Sequence, residues 1–131
     1  MDILLNRCDI KKKLINLVYS SKMAFKHGCI ILDNNFNIVS YGYNIQPEYF
    51  NWDQSIHAEV NAINKLKYEK KHLANIHKYY LLVVRLSAIH KDENGNITIV
   101  YGNSKPCKNC QKVIDNIGFK ETHVIYSLPK E

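Results

Sequence analysis

Residues 79–89 read Tyr-Tyr-Leu-Leu-Val-Val-Arg-Leu-Ser-Ala-Ile. A strand with one wet face alternates apolar and polar residues; this one is apolar almost throughout, as expected of a strand covered on both faces. The layers that cover it are sought on either side. Asp9 is a candidate N-cap, and Ile10, Leu14, Leu17, Val18 and Ser21 follow at helical spacing, predicting a helix over 9–24. Ala58, Ala62, Ile63 and Leu66 predict a second over 57–71. Cys110, Val113, Ile114 and Ile117 predict a third, stopped by a left-handed Gly118. His27–Leu32 and Phe36–Tyr43 flank the turn cluster Asp33-Asn34-Asn35 and read as a hairpin. Asn94-Gly95 is a strong hairpin signal between 79–89 and a return strand over 97–101. His123–Ser127 closes the series. The order α-β-β-α-β-(β)-α-β predicts an α/β fold: a three-layer α-β-α sandwich around a mixed central sheet of four to five strands, with an inserted β-hairpin. No Ser/Gly/Pro-rich linker or repeat interrupts 1–131, which reads as one domain.

Composition narrows the function. The chain has 131 residues and a net charge of +6. Its longest apolar run, Tyr79–Val84, is far short of the ~18 residues a membrane span needs. Met1–Lys13 lacks the pattern of a secretory signal, so the cytoplasm is expected. The basicity is lysine, 16 residues against two arginines, Arg7 and Arg85. Readers of DNA sequence lean on the arginine fork, so this charge reads as a solvated surface, with Lys22, Lys26, Lys105 or Lys108 available to hold a phosphate. Lys11, Lys12 and Lys13 stand where a helix dipole disfavours them.

Four cysteines remain: Cys8, Cys29, Cys107 and Cys110. Without a secretory signal they are expected as thiols, and the C-x-x-C pair points to metal or redox chemistry. Cys29 lies in an apolar strand and reads as core; Cys8 reads as a half-buried thiol. His57-Ala58-Glu59 and Pro106-Cys107-Lys108-Asn109-Cys110 both stand at predicted helix starts. One His and two Cys form a normal three-ligand set for catalytic zinc, leaving the fourth position to water. Glu59, two residues beyond His57, suits a proton carrier beside that water. A structural zinc closed by Cys8, Cys29 or a further His, and a thioredoxin-like redox pair, are the competing readings. His27, His72, His77, His90 and His123 have no ligand-like spacing and read as surface or capping residues, with His27 able to line a pocket. Tyr49, Phe50 and Trp52 precede His57, where they either stack on a base or pack their own loop.

H-x-E followed by P-C-x-x-C is the signature of zinc nucleobase deaminases. The chain resembles the cytidine and deoxycytidylate deaminase superfamily over roughly 9–127. Gly42-Tyr43-Asn44 is similar to that family's G-x-N, and His57–Ile63 (His-Ala-Glu-Val-Asn-Ala-Ile) to the H-A-E-x-N-A-[IL] of its deoxycytidylate branch. The resemblance implies zinc held by His57, Cys107 and Cys110, with Glu59 moving protons between water, ring nitrogen and leaving ammonia. It places Asn44 and Ala58 on the substrate. It further implies hydrolytic deamination of a cytosine nucleoside or nucleotide and a homo-oligomer. Alternatives are a deaminase editing tRNA adenosine or single-stranded cytosine, and a non-catalytic zinc module. Two departures stand out. The 46 residues between Glu59 and Pro106 exceed the family's usual gap; the Asn94-Gly95 hairpin accounts for the excess and is expected to project past the sheet end near the site. The strand at 123–127 is also followed almost at once by Glu131, where most relatives add a further strand or helix.

Overall fold

The computed structural model describes residues 7–22, 26–45 and 56–128. Its elements are α1 (Cys8–Ser20), β1 (Lys26–Leu32), β2 (Ile38–Tyr43), α2 (Ala58–Leu66), the single turn α3 (Lys70–Leu73), β3 (Tyr80–Lys91), β4 (Ile97–Gly102), α4 (Lys108–Ile117) and β5 (Val124–Tyr126). Short 3₁₀ turns at Ile76–Lys78 and Glu121–His123 lead into β3 and β5.

β3 is the spine of a five-stranded mixed sheet. Its residues Tyr80–Leu86 pair antiparallel with β1, which pairs antiparallel with β2. The other edge of β3 is shared: β5 runs parallel along Leu81–Val83, and β4 runs antiparallel from Arg85 to Lys91. The β3–β4 hairpin therefore rises past the end of the sheet where β2 and β5 finish, as the sequence predicts. Successive β3 residues point to opposite faces. Leu82 and Val84 join Ile10, Leu14, Leu17, Val18, Ile30 and Leu32 under α1. Leu81 and Val83 join Cys29, Ile31, Ala62, Ile63, Leu66 and Ile114 under α2 and α4. Both clusters are closed to water, which is why 79–89 carries no polar alternation.

Strand ends fall within two residues of the sequence reading, while three helix ends differ from it for a visible reason. Arg7, not Asp9, occupies the N-cap of α1. Asp9 lies inside the first turn, where the positive helix end favours it, and its carboxylate takes the Arg7 guanidinium at 2.8 Å, which holds its pKa below the usual value. α1 stops at Ser20 because the chain turns extended at Ser21, whose hydroxyl donates to the Asn44 carbonyl at 2.9 Å. α2 stops at Leu66 rather than running to 71, since Lys67 to Lys71 are all exposed and give a helix no face to bury. The histidines differ too. His72 is buried between the Tyr79 hydroxyl at 2.7 Å and Glu69 at 2.9 Å, and His123 stacks on Tyr80. Cys8 is exposed rather than half-buried, while Cys29 is fully buried as expected. No helix among the described residues is long and apolar enough to cross a membrane.

Candidate active site

Two helix starts form the site, and each is tied to the sheet. A Cβ on Gly42 of β2 would lie 2.6 Å from the Ala62 nitrogen and 2.9 Å from the Ala58 oxygen, so α2 seats directly on bare backbone. The Ser40 hydroxyl donates to the Ala62 carbonyl at 2.7 Å, and the Asn61 amide donates to the Tyr43 carbonyl at 2.9 Å. These contacts fix the entry of α2, with His57 as its N-cap. The α4 entry is fixed by two buried serines. Ser104 donates through its hydroxyl to the Val83 carbonyl at 2.8 Å, and its backbone N–H donates to Ser127 at 2.9 Å. The Ser127 hydroxyl donates to the Gly102 carbonyl at 2.8 Å. The short stretch from Ser104 to the α4 N-cap, Cys107, is thereby pinned to β3 and β4.

The result is convergence across 50 residues of chain. His57 Nδ1 lies 3.1 Å from Cys110 Sγ and 3.6 Å from Cys107 Sγ. All three donor atoms fall within 4.8 Å of one another. Cys107 Sγ accepts from the Cys110 backbone N–H at 3.5 Å, the arrangement in which two thiols of one helical turn face one ion. One nitrogen and two sulfurs are the soft, three-donor set of a catalytic zinc position. Both thiols stand at a positive helix end, which favours the thiolate.

Glu59, in the first turn of α2, is only 5% exposed. Burial pushes its carboxyl pKa up, against the pull of its own backbone N–H, of His57 and of the Cys110 thiol. A carboxylate held in a dry place beside the donors is suited to taking and returning a proton. Burial, together with the neighbouring Glu59 charge, also pushes the Cys110 thiol up in the ion-free protein. Burial, with Glu59 and Cys110 nearby, also raises the Cys29 thiol on β1.

The remaining candidates are placed as follows. Ala58 is fully buried, so it offers its backbone rather than its methyl group. Asn44 is buried just beyond β2, and its Oδ1 accepts from the His27 backbone N–H at 2.9 Å. His27 lies within β1, opposite Arg85 of β3. Lys26 donates to the Ser21 carbonyl, while Lys22, Lys105 and Lys108 are exposed. Tyr49, Phe50 and Trp52 lie outside the described residues. The sequence reading missed Ser104, Ser127 and the seat at Gly42. A lone serine beside a strand carries no signal, but Gly42 in an otherwise β-rich run marks a close backbone approach.

The family model for the cytidine and deoxycytidylate deaminase zinc-binding region matches residues 7–126. The chain belongs to that family. It is thus a zinc-binding hydrolytic deaminase acting on cytosine chemistry, and His57, Cys107 and Cys110 fit its metal. Two solved structures share the deaminase fold. The dCMP deaminase of the cyanophage S-TIM5 superposes with a TM-score of 0.54 at 22% identity, over 93% of this chain and 85% of its own. A mutant cytidine deaminase from Mycobacterium tuberculosis superposes with a TM-score of 0.51 at 14% identity, over 92% and 86%. No curated protein matches the chain.

Proposed function

We propose that this chain, as one domain over 1–131, hydrolyses the exocyclic amine of a cytosine nucleoside or nucleotide, giving the uracil form and ammonia. The observation that carries this is the meeting of His57 Nδ1 with the Cys107 and Cys110 sulfurs beside buried Glu59. In this reading His57, Cys107 and Cys110 hold zinc. Zinc, when bound, makes hydroxide available near neutral pH by lowering the pKa of water. Glu59 accepts one proton from water and passes it to the ring nitrogen, then takes the second from the hydroxyl added to the ring carbon and gives it to the amine, so that the C–N bond breaks, ammonia leaves and the carbonyl of the uracil form remains. Its dry position keeps the carboxyl basic enough to accept and acidic enough to return. The Ala58 backbone and Asn44 orient the substrate, and the His27 N–H holds the Asn44 carbonyl so that its amide has a fixed direction. The exposed Lys22, Lys105 and Lys108 are open to a phosphate. The cytoplasm and a homo-oligomer complete the reading.

Glu59→Gln tests it. The amide keeps the shape and loses the proton function, so zinc content is expected to stay at one per chain. Ammonia release from deoxycytidylate or cytidine is expected to fall by about 10²–10⁴-fold. Normal turnover in that variant would remove Glu59 from the chemistry. Turnover on RNA but on no monomer would move the substrate to nucleic acid.

A further inference from the structure

The four cysteines differ in what can reach them. Cys8 is exposed, but it stands on α1, across the sheet from α2 and α4. Cys29 is fully buried in the cluster under α2 and α4. Cys107 is exposed, and Cys110, one helical turn further on, is 2% exposed. The sulfurs of these last two belong to the donor group whose atoms all lie within 4.8 Å of one another. The C-x-x-C pair thus joins one thiol open to solvent with one closed to it, at close range.

The local backbone suits a bridge between them. A disulfide needs its two sulfurs about 2 Å apart and its Cα atoms within about 4.4–6.8 Å. Residues three apart at a helix start are neighbours on one face. Cys107 is the N-cap, with extended backbone, and its Sγ already turns over the helix start to accept the Cys110 N–H at 3.5 Å. The remaining approach falls to the exposed Cys107 side chain, while buried Cys110 stays in place. C-x-x-C at a helix start is also the spacing of dithiols that open and close.

We propose that Cys107 and Cys110 are a reversible modification site: a peroxide joins them as a disulfide, and the bridged pair no longer holds zinc. The Cys107 sulfur attacks one peroxide oxygen, the O–O bond breaks, and water leaves with Cys107 as the sulfenic acid. The Cys110 sulfur then attacks the Cys107 sulfur. The S–S bond forms, the S–O bond breaks, and the hydroxyl leaves as a second water with the Cys110 proton. Two thiols are oxidised and one peroxide is reduced to two waters. A dithiol reductant reopens the bridge by exchange. Only a thiolate serves as a metal ligand, so bridging leaves His57 alone of the three donors. The exclusion of zinc rests on the metal set of the proposed function; the bridge itself rests on the placement of the two thiols.

Hydrogen peroxide on the zinc-loaded full chain tests this, in a Cys8→Ser background that removes the other exposed thiol. Zinc release is followed with a chelating dye, thiols are counted in denaturant, and peptides are mapped by mass. Circular dichroism on the same samples checks the fold. Zinc is expected to leave in step with the loss of two thiols, with the bridge found between Cys107 and Cys110 and Cys29 still reduced. Dithiothreitol is expected to restore both thiols and the uptake of zinc. Oxidation that stops on Cys107 with Cys110 still a thiol, or a bridge from Cys29 to Cys110, overturns the pair. Loss of zinc binding that dithiothreitol does not restore overturns reversibility, and zinc held by the bridged protein overturns the exclusion. Thiols and zinc are read without substrate. A pair that closes and reopens in a protein with no deaminase turnover therefore supports the disulfide and counts against the deaminase reading alone.

Discussion

At the residue scale, two glycines separate two different demands. At Gly42 the demand is space: a Cβ would meet two backbone atoms of α2 and the Asn61 Cβ at 2.6–2.9 Å. Backbone cannot rotate out of the way, so the helix must lift. Gly42→Ala is expected to cost about 1–3 kcal/mol, the range for forcing extra atoms into a filled site. It also shifts His57 and Glu59, which ride on that helix. At Gly95 the demand is conformational: φ is 82°, while the nearest atom to a Cβ is 3.9 Å away. Gly95→Ala is expected to cost about 1 kcal/mol through the left-handed backbone alone. Urea unfolding gives both costs. Zinc content after dialysis distinguishes their kinds, falling for Gly42→Ala and unchanged for Gly95→Ala. Equal zinc retention would mean that the Gly42 seat does not position the site.

At the scale of elements, what the sequence reveals depends on how far a residue's partners lie. The strand at β3 was legible because burial on both faces is a property of consecutive residues. The metal set was legible because Cys107 and Cys110 share one helical turn and His57 opens another. The helix ends were less so. Asp9 is a good cap by type, yet a guanidinium two residues away claims it. The serine clamp of the α4 entry was illegible, since Ser104 and Ser127 meet across 23 residues that include α4 and β5. Both hairpins close with one device, visible only in three dimensions. Asp33 and Asp92 each accept two backbone N–H groups through one carboxylate oxygen, from Asn35 and Asn37 and from Asn94 and Asn96. The residue after the middle of each turn is left-handed: Gly95 in one, and Phe36 in the other at φ 62°. Phe36 bears that strain while its ring packs on Tyr80 at 5.0 Å. The projecting arm is separable from this framework. β1 and β5 hold β3 between Tyr80 and Leu86, below the arm. Replacing 88–100 by Asn-Gly is expected to keep the fold and the zinc, read by circular dichroism and zinc content. Loss of zinc in that variant would make the arm part of the metal site.

The whole molecule is two cores on one sheet, and they are secured differently. The α1 core is held by apolar burial, with Ile10, Leu14, Ile30 and Leu82 all at most 2% exposed. On the other face, α2 and α4 are also linked at their N-termini by the donor set, His57 from one and Cys107 and Cys110 from the other. A metal bound there ties two segments far apart in sequence, and it stabilises the folded state by RT ln(1 + [L]/Kd). At a hundredfold excess over Kd this is about 2.7 kcal/mol. Each kcal/mol shifts the melting point of a domain of this size by about 3–5 °C. Chelation is therefore expected to lower the melting temperature by about 10 °C. Cys107→Ser is expected to show the lower value with or without chelator, because the position then lacks one donor. The loss is also expected to be uneven. Hydrogen exchange should speed up in α4 and in residues 103–107, which lead to the metal ligands, and change little in α1, which packs on the opposite face of the sheet. Uniform loss of protection across both faces would show instead that the two cores unfold as one unit and that the metal stabilises them equally.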